Sequence, residues 1–153
     1  RLIQEGVVFT LRIESIGPSG LYGHVARIVC LGDIPEALEK QFELAKQAQK
    51  VSLDMLQPGT KPKDIWDANN EFLRSVGYPE ENRIYAHGQG YDLVERPSLD
   101  PYETMEIAAD MNISVHPSVV SDKAFAFVCE NYRVKEAGEL ECLHDTPQKI
   151  FTV

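Results

Sequence analysis

The sequence has 153 residues, of which 43% are hydrophobic and 25% are charged, and this is the composition of a globular chain with a single core. Its 15 Lys and Arg against 24 Asp and Glu give a net charge of −9, which disfavours binding to the phosphate backbone of nucleic acids. The apolar runs are too short to cross a bilayer. Nucleic acid and membrane are therefore not expected as partners.

The cysteines and the first residues of the sequence bear on the expected cellular location of the protein. The chain has three cysteines and no C-x-x-C spacing, namely Cys30, Cys129 and Cys142. An odd number without that spacing argues against a disulfide framework and against a thiolate zinc site. The sequence opens at Arg1, without a methionine, and enters an alternating apolar run by Val7, so no signal peptide is expected in it. We expect reduced thiols, a cytoplasmic location and a single domain over residues 1–153 that is incomplete at its N-terminus.

The first thirty residues predict a β-hairpin. Residues alternate from Val7 to Glu14, and the apolar members of the alternation predict a drier side. Gly17-Pro18-Ser19-Gly20 is typical of a turn. The second strand, from Leu21 to Leu31, places one histidine on a face with three apolar residues, in the order His24, Ala26, Ile28 and Cys30.

Two helices and a series of short strands follow. The first helix is expected after Asp33, which is a candidate N-cap, and it ends at Pro58-Gly59. The second begins near Pro62 and stops at Gly77. The later apolar runs predict strands, giving a coarse order ββ-αα-ββββ. We therefore expect an α+β fold with helices on one side of a largely antiparallel sheet.

Three of the four histidines lie where a strand holds an imidazole stiffly, as a metal site requires. His24 lies in the middle of its strand. His87 ends a strand just before Gly88, where the absent side chain lets another group approach. His116 precedes a proline at another strand end. The fourth histidine, His144, is interpreted as a surface residue.

Several segments together resemble a known family. They are Ala86-His87-Gly88-Gln89-Gly90, Ile113-Ser114-Val115-His116-Pro117, Glu130 to Leu143, the hairpin from Gly20 to Arg27, and Gln57-Pro58-Gly59. Their order and spacing resemble the pita-bread metallopeptidases, which include methionine aminopeptidase, Xaa-Pro aminopeptidase, prolidase and the non-peptidase creatinase. The resemblance implies the pita-bread fold, a largely antiparallel curved sheet with helices on its outer face. It covers the later part of the catalytic domain, so an N-terminal part of the fold is expected to be missing.

The resemblance also implies a metal site. The family binds two metal ions through two aspartates, one histidine and two glutamates, and these positions fall on Ile13, His24, His87, His116 and Glu141. Ile13 cannot coordinate a metal, so at most one ion is expected. The other four residues are predicted to hold one divalent transition metal, which could be zinc, iron, manganese, nickel or copper. The alternative is that His24 and His116 are polar occupants of a metal-free pocket.

The resemblance implies a divergent aminopeptidase or Xaa-Pro-peptidase-like metallohydrolase, with His87, His116 and Glu141 as its catalytic residues. His116 replaces a glutamate that shuttles protons in the family, and Val94 replaces a histidine that contacts substrate. Two alternatives remain open: a creatinase-like enzyme acting on a small polar molecule, and a non-catalytic protein that binds peptides. The expected partners are a small peptide or small polar substrate and a second copy of the chain in a homodimer.

Overall fold

The computed structural model describes residues 3–153, and its N-terminal part is the predicted hairpin. Strand β1 is Val8–Ile16 and strand β2 is Tyr22–Cys30, paired antiparallel. The turn between them includes Gly20, whose φ of 81° is a left-handed conformation that glycine adopts without strain. Glu14 lies directly opposite His24. Because directly paired residues point to the same face of a sheet, the two side chains share one face.

The two predicted helices are present. Helix α1 is Glu36–Met55 and helix α2 is Pro62–Ser75. The predicted cap at Asp33 is wrong, since the N-cap of α1 is Pro35 and no side chain caps the helix. Gly77 follows α2 with a φ of 80°, in agreement with the predicted stop. Neither helix in the described part of the chain is long and apolar enough to cross a membrane.

The remaining strands are short. They are β3 (Ala86–Gly88), β4 (Glu95–Ser98), β5 (Asn112–Val115), β6 (Ser118–Val120), β7 (Phe125–Phe127), β8 (Glu130–Val134), β9 (Leu140–Cys142) and β10 (Phe151–Thr152). They form sheets in the orders β1-β2-β10, β4-β3-β5-β8-β9 and β6-β7. All pairs are antiparallel except β10 with β2. A bridge between Ala26 and Cys129 joins the hairpin to the five-stranded sheet.

The buried side chains form two main clusters that pack the helices against the strands. One cluster joins α1 to β2, β6 and β7, with Phe42 and Ile28 among its members. The other joins the end of α1 and α2 to β3 and β5, with Ile65 and Ile113 among its members. Both helices therefore pack on the sheets through apolar side chains, and the face of β2 that carries Ile28 into this core also carries His24 near the start of the strand.

The expectation of a drier side on β1 is wrong. Leu11 is 50% exposed and Ile13 is 49% exposed. The polar members of the alternation, including Arg12 and Glu14, instead lie against His24. The reason is that β1 is an edge strand and that its inner face lies against the polar His24. Its polar side chains therefore face inward, and its apolar side chains face solvent.

Candidate metal centre

Three buried histidines from different strands converge in one place. His24 lies in β2, His87 lies in β3, and His116 directly follows β5. The ring centroids are 5.1 Å apart for His24 and His116, 5.2 Å for His87 and His116, and 6.3 Å for His24 and His87. One nitrogen of each ring lies within 4.8 Å of the others. Side-chain nitrogens this close together can share one metal ion.

The backbone around each histidine explains its position. His24 is on the buried face of β2 that the sequence pattern indicated. His87 is followed by Gly88, where an added Cβ would lie 2.5 Å from the carbonyl oxygen of Arg96. The absent side chain therefore lets β4 lie close to β3. The amide of His116 donates to the carbonyl of Tyr85 at 2.7 Å, which fixes it at the end of β5.

The hydrogen bonds of the rings select their tautomers. Nδ1 of His87 lies 2.8 Å from the carbonyl oxygen of Gly88, so this nitrogen carries the proton and Nε2 keeps a free lone pair. Nδ1 of His24 lies 3.0 Å from the hydroxyl oxygen of Ser114. Such contacts on the far nitrogen orient a metal-binding imidazole. Both ring nitrogens of His116 are buried without a hydrogen-bond partner.

Burial keeps the three imidazoles neutral. Loss of solvent lowers the pKa of His116 to about 2 and that of His24 to about 4, with smaller contributions from neighbouring positive charge. Burial also lowers the pKa of His87. All three rings are therefore unprotonated at pH 7, and a neutral imidazole is the form that binds a metal.

Two further residues at the site were missed by the sequence reasoning. Arg12 Nε donates to Nε2 of His24 at 2.9 Å, and its guanidinium also pairs with Glu14. Glu14 Oε1 lies 3.2 Å from Nε2 of His24. The carry-over by spacing assigned the family's first aspartate to Ile13, but the hairpin register makes Glu14 the carboxylate that faces His24. Strand alternation contained this signal, since Arg12 and Glu14 share the polar face.

A buried amide network supports the histidine cluster. Asn131 Oδ1 accepts from the backbone N–H of His24 at 2.8 Å, and its Nδ2 donates to Gln89 Oε1 at 2.9 Å. His144 Nε2 lies 3.1 Å from both His24 O and Asn131 Oδ1. His144 is half-buried, so its interpretation as a surface residue is wrong. Cys129 is buried beside the same strand, with Sγ 3.5 Å from His24 O, and burial raises the pKa of its thiol to about 12.

The structure does not bring Glu141 to the histidines. Its carboxylate is exposed on β9, 3.9 Å from Arg133 and 3.8 Å from Lys135. The physical reason is the register of the last hairpin, which pairs Glu141 with Arg133 on β8. Three of the four predicted ligands thus lie together, and Glu141 lies outside their cluster. Val94 is also exposed.

Comparisons with known proteins agree with this geometry. The sequence profile of metallopeptidase family M24 matches residues 1–136. The chain belongs to this family. Over 131 residues it is 25% identical to the Xaa-Pro dipeptidase of Pyrococcus horikoshii, a match that covers 79% of the chain and 37% of the relative. Over 120 residues it is 23% identical to the methionine aminopeptidase of Chlamydia pneumoniae, covering 76% of the chain and 41% of the relative.

Solved structures confirm the pita-bread fold. The dipeptidase of Pyrococcus horikoshii superposes with a TM-score of 0.88 at 24% identity, covering 100% of this chain and 43% of that one. The X-Pro aminopeptidase of Thermotoga maritima superposes with a TM-score of 0.89 at 22% identity, covering 99% and 43%. The chain thus spans about two fifths of the length of the relatives it matches. The predicted resemblance and the α+β fold class are both confirmed.

The residues present fit the metal ion that the family name implies. The clearest observation is His116, whose two ring nitrogens are buried and unpaired, an arrangement that is costly in a protein interior unless a partner binds there. Nε2 of His87 is free in the same cluster. Three neutral imidazoles form a donor set suited to a divalent transition metal. Glu14 is the carboxylate nearest to this set in the polar network.

Proposed function

We propose that the chain is a divergent metallohydrolase domain that binds one divalent transition-metal ion through His24, His87 and His116 and acts on small peptides. The observation that carries this proposal is the convergence of three buried, neutral imidazoles around the unpaired nitrogens of His116. Membership of a metallopeptidase family supports hydrolysis. The names of the relatives, an Xaa-Pro dipeptidase and a methionine aminopeptidase, support a peptide as the substrate.

The roles of the residues follow from their contacts. A bound divalent ion polarises a substrate carbonyl and lowers the pKa of water. Ser114 and the carbonyl of Gly88 hold His24 and His87 with their protonated nitrogens turned away from the cluster. Glu14 is the carboxylate placed to join the three histidines as a further ligand, because its Oε1 lies 3.2 Å from Nε2 of His24.

Titration of the purified chain with Co²⁺ tests the metal site. A tri-histidine site is expected to bind about one equivalent and to give visible absorption from coordinated Co²⁺, and His116→Ala should abolish it. Val119→Ala is the matched control, since Val119 is also a buried side chain but is apolar and belongs to the helix-facing core. Less than about a tenth of an equivalent at saturating metal would overturn the proposal.

The metal-loaded chain is then assayed with an Xaa-Pro dipeptide and with a peptide that begins with methionine. Cleavage that His116→Ala abolishes and Val119→Ala retains is the expected result. If the loaded chain turns over a small amide or amidine but neither peptide, the creatinase-like alternative replaces the peptidase.

A peptide-binding protein without catalysis is the second candidate. The observation that favours it is the outward orientation of Ile13, which stands half-exposed at the position that the family's spacing gives to a metal-binding aspartate. Binding of the same peptides without turnover, with or without metal, would support this candidate.

A further inference from the structure

An ion pair between two residues of β1 lies between His24 of the histidine cluster and solvent. Arg12 donates through Nε to Nε2 of His24 at 2.9 Å, and its Nη2 contacts Oε1 of Glu14. The His24 side chain is fully buried, the Glu14 side chain is 25% exposed, and the Arg12 side chain is 50% exposed. Arg12 therefore lies between the buried ring of His24 and the solvent.

Two hydrogen-bond acceptors face each other beneath this guanidinium. Because Arg12 Nε is always a donor, Nε2 of His24 must carry a lone pair rather than a proton. Glu14 Oε1 lies 3.2 Å from that nitrogen and also carries only lone pairs when it is ionised. Two such atoms repel each other unless a cation lies between or beside them. The guanidinium of Arg12 satisfies both at once.

We propose that Arg12 is a built-in cation that occupies part of the metal site, and that a metal ion binds only when Arg12 turns out to solvent and releases Nε2 of His24 and the carboxylate of Glu14. This inference rests on the proposed function. In the metal-bound state Glu14 supplies a fourth ligand, in the role that Glu141 was predicted to play. Arg12 thus makes metal binding weaker than it would be at a free tri-histidine site.

The release of Arg12 occurs by rotation. A guanidinium stays protonated in proteins, so it cannot leave by losing its charge. Its side chain is long, and half of its surface already lies in solvent on an edge strand. The competition is direct, since the atoms that Arg12 binds are those that would coordinate the ion. A guanidinium that remained within a few ångströms would also repel a divalent cation.

Substitution of Arg12 tests the inference through metal affinity. Arg12→Met keeps an unbranched chain but removes the donors and the charge. Its affinity for Zn²⁺, measured by competition with a chromophoric chelator, is expected to exceed that of the wild type by about 10-fold or more, which corresponds to one charge-assisted hydrogen bond. The matched control is Arg133→Met, because the Arg133 side chain is 51% exposed and pairs with Asp110 and Glu141 instead.

A second pair of measurements keeps the test independent of folding defects. Adding Glu14→Gln to Arg12→Met should reverse most of the gain if the freed carboxylate becomes a ligand. In the wild-type chain, NMR should detect the Nε–H of Arg12 as a hydrogen-bonded signal that is lost when one equivalent of Zn²⁺ is added. Circular dichroism of each variant checks that the fold is retained.

The outcomes separate this inference from the proposed function. If the wild type binds metal through His116 and Arg12→Met binds no more tightly, or if Arg133→Met gives the same gain, the role of Arg12 is refuted while the metal site stands. If neither the wild type nor Arg12→Met binds metal, both proposals fail. If Arg12→Met binds metal and the wild type does not, the competition between Arg12 and the ion is supported, but the proposed metal-dependent function of the wild-type chain fails.

Discussion

Replacement of Arg27 by methionine should destabilise the protein far more than replacement of an exposed arginine. Arg27 Nη2 lies 2.7 Å from Glu130 Oε1, and the two side chains are only 8% and 4% exposed. The same guanidinium donates to the carbonyl oxygens of Ala26, Pro147 and Thr146. It therefore ties the strand of His24 to β8 and to the segment that leads into β10.

The expected magnitude follows from what Arg27→Met leaves behind. Removing one partner of a buried ion pair costs about 3–5 kcal/mol, because the other charge stays buried without compensation. Burial already raises the pKa of Glu130 even with Arg27 present, so the ionised carboxylate is poorly tolerated. Glu130→Gln alone should cost less, about 1–3 kcal/mol, because the guanidinium of Arg27 keeps its carbonyl acceptors. Adding Glu130→Gln to Arg27→Met should recover part of the larger loss.

Urea unfolding at pH 7, followed by the fluorescence of the single tryptophan, Trp66, measures these differences. Arg133→Met is the control, since its surface ion pairs should contribute less than about 1 kcal/mol. The destabilisation by Arg27→Met should also shrink at acid pH as Glu130 takes up a proton. A loss equal to that of Arg133→Met, or an additive double variant, would refute the argument from an uncompensated buried charge.

Three further outcomes are expected. Gly88→Ala should lower the free energy of unfolding by about 1–3 kcal/mol and weaken metal binding at His87, because the added Cβ would lie 2.5 Å from Arg96 O. Gly23→Ala is the control, since a Cβ added there meets nothing within 4 Å. Equal effects of the two substitutions in thermal melts would contradict this prediction. Hydrogen bonds from Arg96 and from backbone amides lower the pKa of Glu103 to about 2. The ionised carboxylate should therefore stabilise the folded protein fully above pH 4.5, and this contribution should vanish as the pH falls through about 2. The variant Glu103→Gln should lack the contribution at every pH. A constant difference between wild type and Glu103→Gln across pH 2–7 would contradict that sign. Tyr85→Phe should lower the free energy of unfolding in urea by about 1–2 kcal/mol, since the buried hydroxyl donates to Ile65 O at 3.2 Å and lies 3.1 Å from Ser52 Oγ. An unchanged urea midpoint would show that these hydrogen bonds contribute no net stability.

The histidine positions illustrate what sequence patterns can predict about a site. Alternation placed His24 on a face with Ala26, Ile28 and Cys30, and all four are buried. The glycine after His87 indicated a close approach of another backbone, and Gly88 meets β4 there. These features are local, because the two-residue period of a strand and the missing side chain of glycine act within a few residues.

The errors concern contacts between distant parts of the chain. Glu141 was chosen by its spacing, but the pairing of β9 with β8 places it against Arg133 at the surface. Glu14 was assigned to a wetter face, but the register of β1 with β2 places it against His24. A shift of one residue reverses the direction of a strand side chain, so spacing along the chain cannot select the ligand.

The sequence by itself determined the N-terminal hairpin, the two helices, the family and the residue types that can bind a metal, because periodicity, turn residues and motifs act over short distances. The tertiary structure decided which of these residues meet. It placed Glu141 outside the histidine cluster, placed Arg12 and Glu14 beside His24, and turned the apolar side of β1 outward. Strand register and the choice of which face meets the core depend on pairing between segments far apart in the chain, and this pairing is not written in any one segment.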